Sequence, residues 1–342
     1  MFLLPLVAAS AGEMNSTILV GTSRLDIVVE KGPFDVTKEG LLDWIRSATE
    51  AVANYYGHFP LPHVFVRVTP REGKGIGRGM TFGEGGGLIT IQVGTETTRS
   101  EFKSDWMLTH EMFHLSFPSV RHEHHWIEEG IATYVEPIAR VRAKQLNVRE
   151  MWFEVVRDLP NGLPERGDRG LDHTHTWGRT YWGGALFCLL ADIEIHRQTG
   201  NKKGLDDALR GILEAGGNIT QDWEIGKALS AGDQATGVQV LVALYDKMKD
   251  QPYRVDLDAL WKELGIERDG KNIRFIDSAP LAATRQAITY GELRAPSQAT
   301  GASDSTAVLA GRSAGSSPSS RDLTSTDLDG RAGRPGRRNL AE

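Results

Sequence analysis

His110, Glu111 and His114 stand in the run LTHEMFHLSFP, two histidines four residues apart with a glutamate after the first. On a helix, residues four apart lie about 40° apart around the axis and roughly 6 Å apart along it, so both imidazoles leave one face and can share a metal ion. Zinc takes neutral imidazole nitrogen and carboxylate oxygen, and a catalytic zinc site uses three protein ligands so that a fourth position stays open for water. Glu111 projects about 100° round from His110, beside the ion, where it can accept a proton from that water. A source for the third ligand comes fifteen residues past His114, where Glu129 follows Glu128 in WIEEGIATY. These two carboxylates diverge by about 100° on a helix, so only one of them coordinates comfortably.

Such a histidine pair arises by composition alone in on the order of a few per cent of chains of this histidine content. The elements around it therefore matter. Phe102, Trp106, Met107, Phe113 and Phe117 recur at near-helical spacing and predict a buried helix from Ser100 to Phe117, with Ser100 or Ser104 as N-cap and Pro118 as the stop. After the connector RHEHH, an apolar stripe of Ile127, Ile131, Tyr134 and Ile138 predicts a second helix from about Trp126 to Lys144. Helices joined by so short a link pack antiparallel, which returns a glutamate early in the second beside the histidines.

The pairing of HExxH with WIEEGIATY resembles the gluzincin pattern of the aminopeptidase N and glycyl aminopeptidase families, in which HExxH is followed by a WxxEG(x)A element whose glutamate is the third ligand. By that match the ligand is Glu129, and Glu128 is a surface or outer carboxylate. The spacer is shorter than in the aminopeptidase N family. A second block, residues 178–213 (GRTYWGGALFCLLADIEIHRQTGNKKGLDDALRGIL), is similar to the segment that follows the zinc site in glycyl aminopeptidases, except that Gly183 stands where a lysine is usual. The resemblance assigns Tyr181 to the oxyanion of the tetrahedral intermediate, and a phenol donor in a dry cleft does offset such a charge. It runs from about Trp106 to Gly217, with no sign of a PDZ domain. It implies an α+β, thermolysin-like gluzincin fold: a small mixed β-sheet lobe, then zinc-site helices, then a helical C-terminal lobe. It also implies one zinc ion as cofactor, catalysis by Glu111 and Tyr181, and a peptide or protein substrate. Hydrolysis of a non-peptide bond and a non-catalytic zinc-bearing binding module are the alternatives.

The rest of the chain is consistent with this. A net charge of -6 and a pI near 6.0 give no basic field, so nucleic acid is excluded as a partner. The single cysteine, Cys188, lies in the apolar run ALFCLLADI and reads as core. Residues 17–29 read as one or two strands, Leu41 to Tyr56 as an amphipathic helix, and His63 to Thr69 and Leu88 to Val93 as strands. Between the last two, REGKGIGRGMTFGEGGG has no GK[ST] and reads as a mobile loop before an edge strand, not a nucleotide cradle. In zinc peptidases of this class the strand before the zinc helix lies antiparallel to bound peptide. The aminopeptidase N family carries a GxMEN-type glutamate there to hold the substrate's free amine; Gly79, Met80 and Thr81 lack it, and Glu84 is the nearest carboxylate. Amide hydrolysis is thus better supported than strict exopeptidase action.

Among the other polar residues, His122, His124 and His125 read as a solvated connector, and His173 and His175 as loop histidines able to assist the oxyanion. Thr133 reads as a donor to a ligand histidine, and Arg179 as an exposed helix-flanking arginine. Helices are expected at Leu205 to Leu213, Gln234 to Met248 and Asp256 to Leu264. The chain divides into residues 1–15 as a truncated signal peptide, 16–100 as the β-rich lobe, 101–292 as the zinc-binding and helical lobe, and 293–342 as a disordered tail rich in Ser, Gly, Ala, Thr and Arg. The apolar run ending in Ala9, Ser10 and Ala11 predicts a periplasmic or secreted protein, with a cytoplasmic one the alternative. No other apolar run approaches membrane-spanning length.

Overall fold

Alternation of branched residues builds the first layer. Val64, Val66 and Val68 in one strand and Ile89, Ile91 and Val93 in another all turn to one buried face, as period-two side chains must. The computed structural model of the protein describes residues 14–291. Its main sheet contains β1 (Met14–Val20), β2 (Ser23–Val29), β3 (His63–Arg71), β4 (Ile76–Phe82) and β5 (Gly87–Gly94), in the order β1-β2-β3-β5-β4. β1 and β4 run antiparallel to their neighbours, while β2, β3 and β5 are mutually parallel. The crossover from β2 to β3 is α1 (Lys38–Tyr56), opened by Thr37 Oγ1 accepting from Gly40 N at 3.2 Å and closed by the left-handed Gly57.

Two short helices follow, α2 (Arg99–Ser104) and α3 (Met107–His114). The single helix expected from Ser100 to Phe117 is therefore broken at Asp105. Its carboxylate accepts from Met107 N and Leu108 N and so starts α3 afresh, while Thr98, not Ser100 or Ser104, caps α2 through a reciprocal box with Glu101. Asp105 also accepts from Trp44 Nε1 at 2.9 Å, and Ser116 Oγ bonds Tyr56 at 2.8 Å, which fixes α3 against α1.

The helical lobe comprises α4 (His125–Arg142), α5 (Val148–Asp158), α6 (Gly184–Thr199), α7 (Leu205–Glu214), α8 (Ile225–Thr236), α9 (Leu241–Met248), α10 (Leu257–Leu264) and α11 (Ala282–Tyr290), with a small hairpin of β6 (Ile266–Asp269) and β7 (Asn272–Phe275). α4 is buried along most of its length and forms the lobe's axis. Sheet and helices together make a mixed α+β fold. No helix among the described residues is long and apolar enough to cross a membrane.

Two further expectations are corrected. The glycine-rich stretch after β3 contains a strand, β4, which forms one edge of the sheet, whereas Leu88 to Val93 is interior as β5. Its glycines hid it, because strand propensity is read from side chains that glycine lacks. The helix expected from Gln234 to Met248 is two helices, parted at the left-handed Gly237. Of the amino-terminal segment, Met14 and Asn15 belong to β1 and the rest lies outside the described residues, as does the segment 293–342.

Candidate metal centre

Two helices converge on one point. α3 carries His110 and His114 on one face, and α4 brings Glu129 back against them, so that one donor atom from each lies within 4.8 Å of the others. His110 Nε2 is 3.1 Å and His114 Nε2 3.7 Å from Glu129 Oε2. Ligand bonds of about 2.0–2.2 Å at tetrahedral angles set donor atoms roughly 3.3–3.5 Å apart, and the two distances straddle that edge. Two imidazoles and one carboxylate are also the donor set of an open catalytic zinc site. The cluster fits zinc.

Electrostatics favour the metal-ready protonation states. Burial pushes His114 down to about 4, against the opposing pull of Glu129, so the ring is neutral. Burial alone would raise Glu129, but His114, His110 and His125 outweigh it and hold the carboxyl well below its usual range. His110 is buried in a T-shaped contact with Trp106 at 5.6 Å, and its Nδ1 has no hydrogen-bond partner.

Glu111 sits beside the cluster, with its carboxylate turned to the edge strand β4. Thr81 Oγ1 donates to Oε2 of Glu111 at 2.7 Å and lies 2.9 Å from its backbone carbonyl. A Cβ on Gly79 would fall 2.6 Å from Glu111 Cγ and 2.7 Å from Oε1, so only glycine lets the strand come this close. Burial pushes Glu111 up to about 7, with His110 and Thr81 pulling against it. Thr81 and Gly79 were noted in the sequence for the glutamate they lack. Their contact with Glu111 was hidden because β4 was not recognised.

Tyr181 comes from a π-helical turn, Gly178–Gly183, that runs directly into α6, a distortion often found at functional positions. Its ring stacks on His110 at 6.3 Å and on Trp177 at 6.0 Å. Burial, then the charges of Glu129 and Glu111, push its phenol upward and keep it protonated as a donor. Glycines make this approach possible. A Cβ on Gly130 would lie 2.4 Å from Gly184 Cα and C, and one on Gly184 would lie 2.1 Å from the Trp126 carbonyl. The glycines of WIEEG and YWGGA thus interlock α4 with α6.

Glu128 sits beside the cluster, not in it: its Oε1 accepts from Val120 N at 3.3 Å and its Oε2 lies 2.8 Å from His125 Nδ1. The connector histidines are not simply solvated. His124 is buried, with Nδ1 3.0 Å from Asp172, and His125 places Nε2 3.2 Å from Glu129 Oε1. With carboxylates on both nitrogens, His125 carries two N–H groups and is pushed up to about 10 by Glu128 and Glu129, burial opposing. The signal for it was present, since His125 stands three and four residues before the two glutamates on one helix. His173 is exposed and pairs with Asp250 at 2.9 Å, and His175 lies beside the His122 ring. Arg179 is buried against Asp168 at 2.7 Å instead of exposed, because the π turn swings it inward. Thr133 is buried in α4, Glu84 is exposed in the β4–β5 turn, and Cys188 is core.

No protein-family model matches this sequence, and no curated protein matches it. Solved structures do. An aminopeptidase N family protein from Idiomarina loihiensis matches with a TM-score of 0.57 at 13% identity, over 74% of this chain and 49% of that one. An M1 zinc metallopeptidase from Deinococcus radiodurans matches with a TM-score of 0.46 at 14% identity, over 71% of this chain and 53% of that one. The chain spans about half the length of these proteins. At such identities the likeness is one of fold.

Proposed function

We propose that this protein is a zinc-dependent peptidase of the gluzincin type, with thermolysin-like lobes formed by residues 16–100 and 101–292. The observation that carries the reading is the convergence of His110, His114 and Glu129 to within 4.8 Å, with Glu111 clamped beside them by Thr81. Zinc held by those three donors would polarise a carbonyl and bring a water molecule's pKa down toward about 7. Glu111 would act as the general base, taking a proton from the attacking water and giving it to the departing amine. Gly79 behind it and Thr81 on Oε2 keep its carboxylate aimed. Tyr181 donates to the oxygen that gains negative charge, a contribution of about 3 kcal/mol where such donors are preorganised.

β4 is one of the two edges of the main sheet, and an edge strand suits an extended peptide laid alongside. Trp177, partly exposed and stacked on Tyr181, offers an aromatic wall for a substrate side chain. Thr81 puts a neutral hydroxyl beside Glu111 where exopeptidase action would call for an anion to pair a free amine, which favours cleavage independent of that amine. The amino-terminal apolar run supports export, periplasmic or secreted.

The test is Glu111→Gln assayed on a panel of peptides, esters and epoxides. Peptide turnover should fall by about 10²–10⁴-fold while bound zinc is unchanged. Undiminished turnover in this variant would contradict the role of Glu111, and a parent active only on esters or epoxides would move the chemistry off the peptide bond.

A further inference from the structure

We propose that His125 is a positioning residue for the metal centre: it holds the outer oxygen of Glu129, so that the carboxylate presents one oxygen to the ion and a coordination position stays open. The inference rests on the zinc reading above. Glu129 divides its two oxygens. Oε2 faces His110 and His114 at 3.1 and 3.7 Å, while Oε1 faces away, 3.2 Å from His125 Nε2. The imidazole is itself fixed, since its Nδ1 lies 2.8 Å from Glu128 Oε2, and Glu128 is tied to the backbone by Val120 N–H at 3.3 Å.

A carboxylate free at one oxygen can rotate to bind an ion through both, and the second oxygen would then take the place left for water. His125 opposes that rotation with a directed hydrogen bond. The other ligands show no comparable restraint at His110, whose Nδ1 is buried without a partner. Outer contacts of this kind are worth about 10–100-fold in metal affinity. The His125 side chain is 47% exposed, so replacing it removes the contact without opening the core.

The experiment is competition for zinc against a chromophoric chelator, on full-length protein, for the parent, His125→Leu, His125→Gln and Glu128→Gln. His125→Leu should weaken zinc binding about 10–100-fold, and His125→Gln, which keeps an N–H donor, should recover most of it. Glu128→Gln, which loosens the imidazole without removing it, should fall between. Cobalt-loaded His125→Leu should show a weaker visible absorption than cobalt-loaded parent, as coordination number rises. Metal-free His125→Leu should keep the circular dichroism of the metal-free parent and a cooperative melt, which separates loss of zinc from loss of fold. Equal zinc affinity and an unchanged cobalt spectrum in His125→Leu would overturn the proposal, as would failure of His125→Gln to rescue. A parent that takes up no zinc would instead overturn the zinc reading, and this inference with it.

Discussion

Gly130→Ala is the smallest change that should disturb the candidate site without touching a ligand. The new Cβ would meet Gly184 Cα and C at 2.4 Å and its carbonyl oxygen at 2.8 Å. Every atom it meets is backbone, so no side chain can rotate away. Restoring an ordinary 3.4 Å contact requires α4 and α6 to part locally by about 1 Å. Overpacking of that kind costs about 1–3 kcal/mol, or a fall in Tm of roughly 2–10 °C for a chain of this size. Tyr181 lies one turn before Gly184, so the same shift moves its hydroxyl relative to Glu129. A misplacement of about 1 Å lowers turnover by on the order of 100-fold, while zinc, held by residues of α3 and by Glu129, should remain bound. The assay is a melt, a zinc determination and peptide kinetics side by side. Gly226→Ala serves as control: that glycine is exposed in α8 with nothing within 4 Å of its Cβ position, and the change should stabilise by about 0.5 kcal/mol. A Gly130→Ala protein that melts with the parent and keeps its kcat would refute the interlock.

Tyr181→Phe should lower kcat by roughly 10²–10³-fold with KM little changed, measured on the best peptide of the panel; a loss in KM alone would assign the tyrosine to binding. Thr81→Val removes a hydrogen bond to a charged carboxylate and should lower kcat by about 10-fold or more with zinc content intact. Away from the site, burial raises Asp206 but Arg142 and Arg210 outweigh it and hold its carboxyl below the ordinary value. A depressed carboxyl stabilises fully above its unfolded pKa of about 3.9 and loses that contribution as pH falls through the folded value. Asp206→Asn should therefore cost about 3 kcal/mol near pH 7 and flatten the acid limb of stability, both read from denaturant melts between pH 7 and pH 2.

The pairing of His110 with His114 was legible because helical periodicity converts a four-residue spacing into a shared face, and the choice of Glu129 over Glu128 came from the family resemblance. β2, β3 and β5 were legible from alternation and α1 from its amphipathic spacing, while the mixed sheet was what the family resemblance implied. What was hidden depends on glycine and on contacts between distant segments. β4 carries two glycines among its seven residues and lies in a glycine-rich stretch, so it was read as a loop and Thr81 could not be paired with Glu111 thirty residues later. The break at Asp105 is a cap made by its own carboxylate, which Trp44, sixty-one residues upstream, also holds in place. Arg179 reads as surface until the π turn buries it against Asp168.

Metal stoichiometry tests the central claim most directly. Purified protein, loaded with zinc and dialysed against metal-free buffer, should carry one zinc per chain by elemental analysis. His110→Ala, His114→Ala and Glu129→Ala should each fall to background while remaining folded by circular dichroism. Zinc retained at full occupancy after loss of Glu129 or of either histidine, or a parent that emerges without it, would contradict the account.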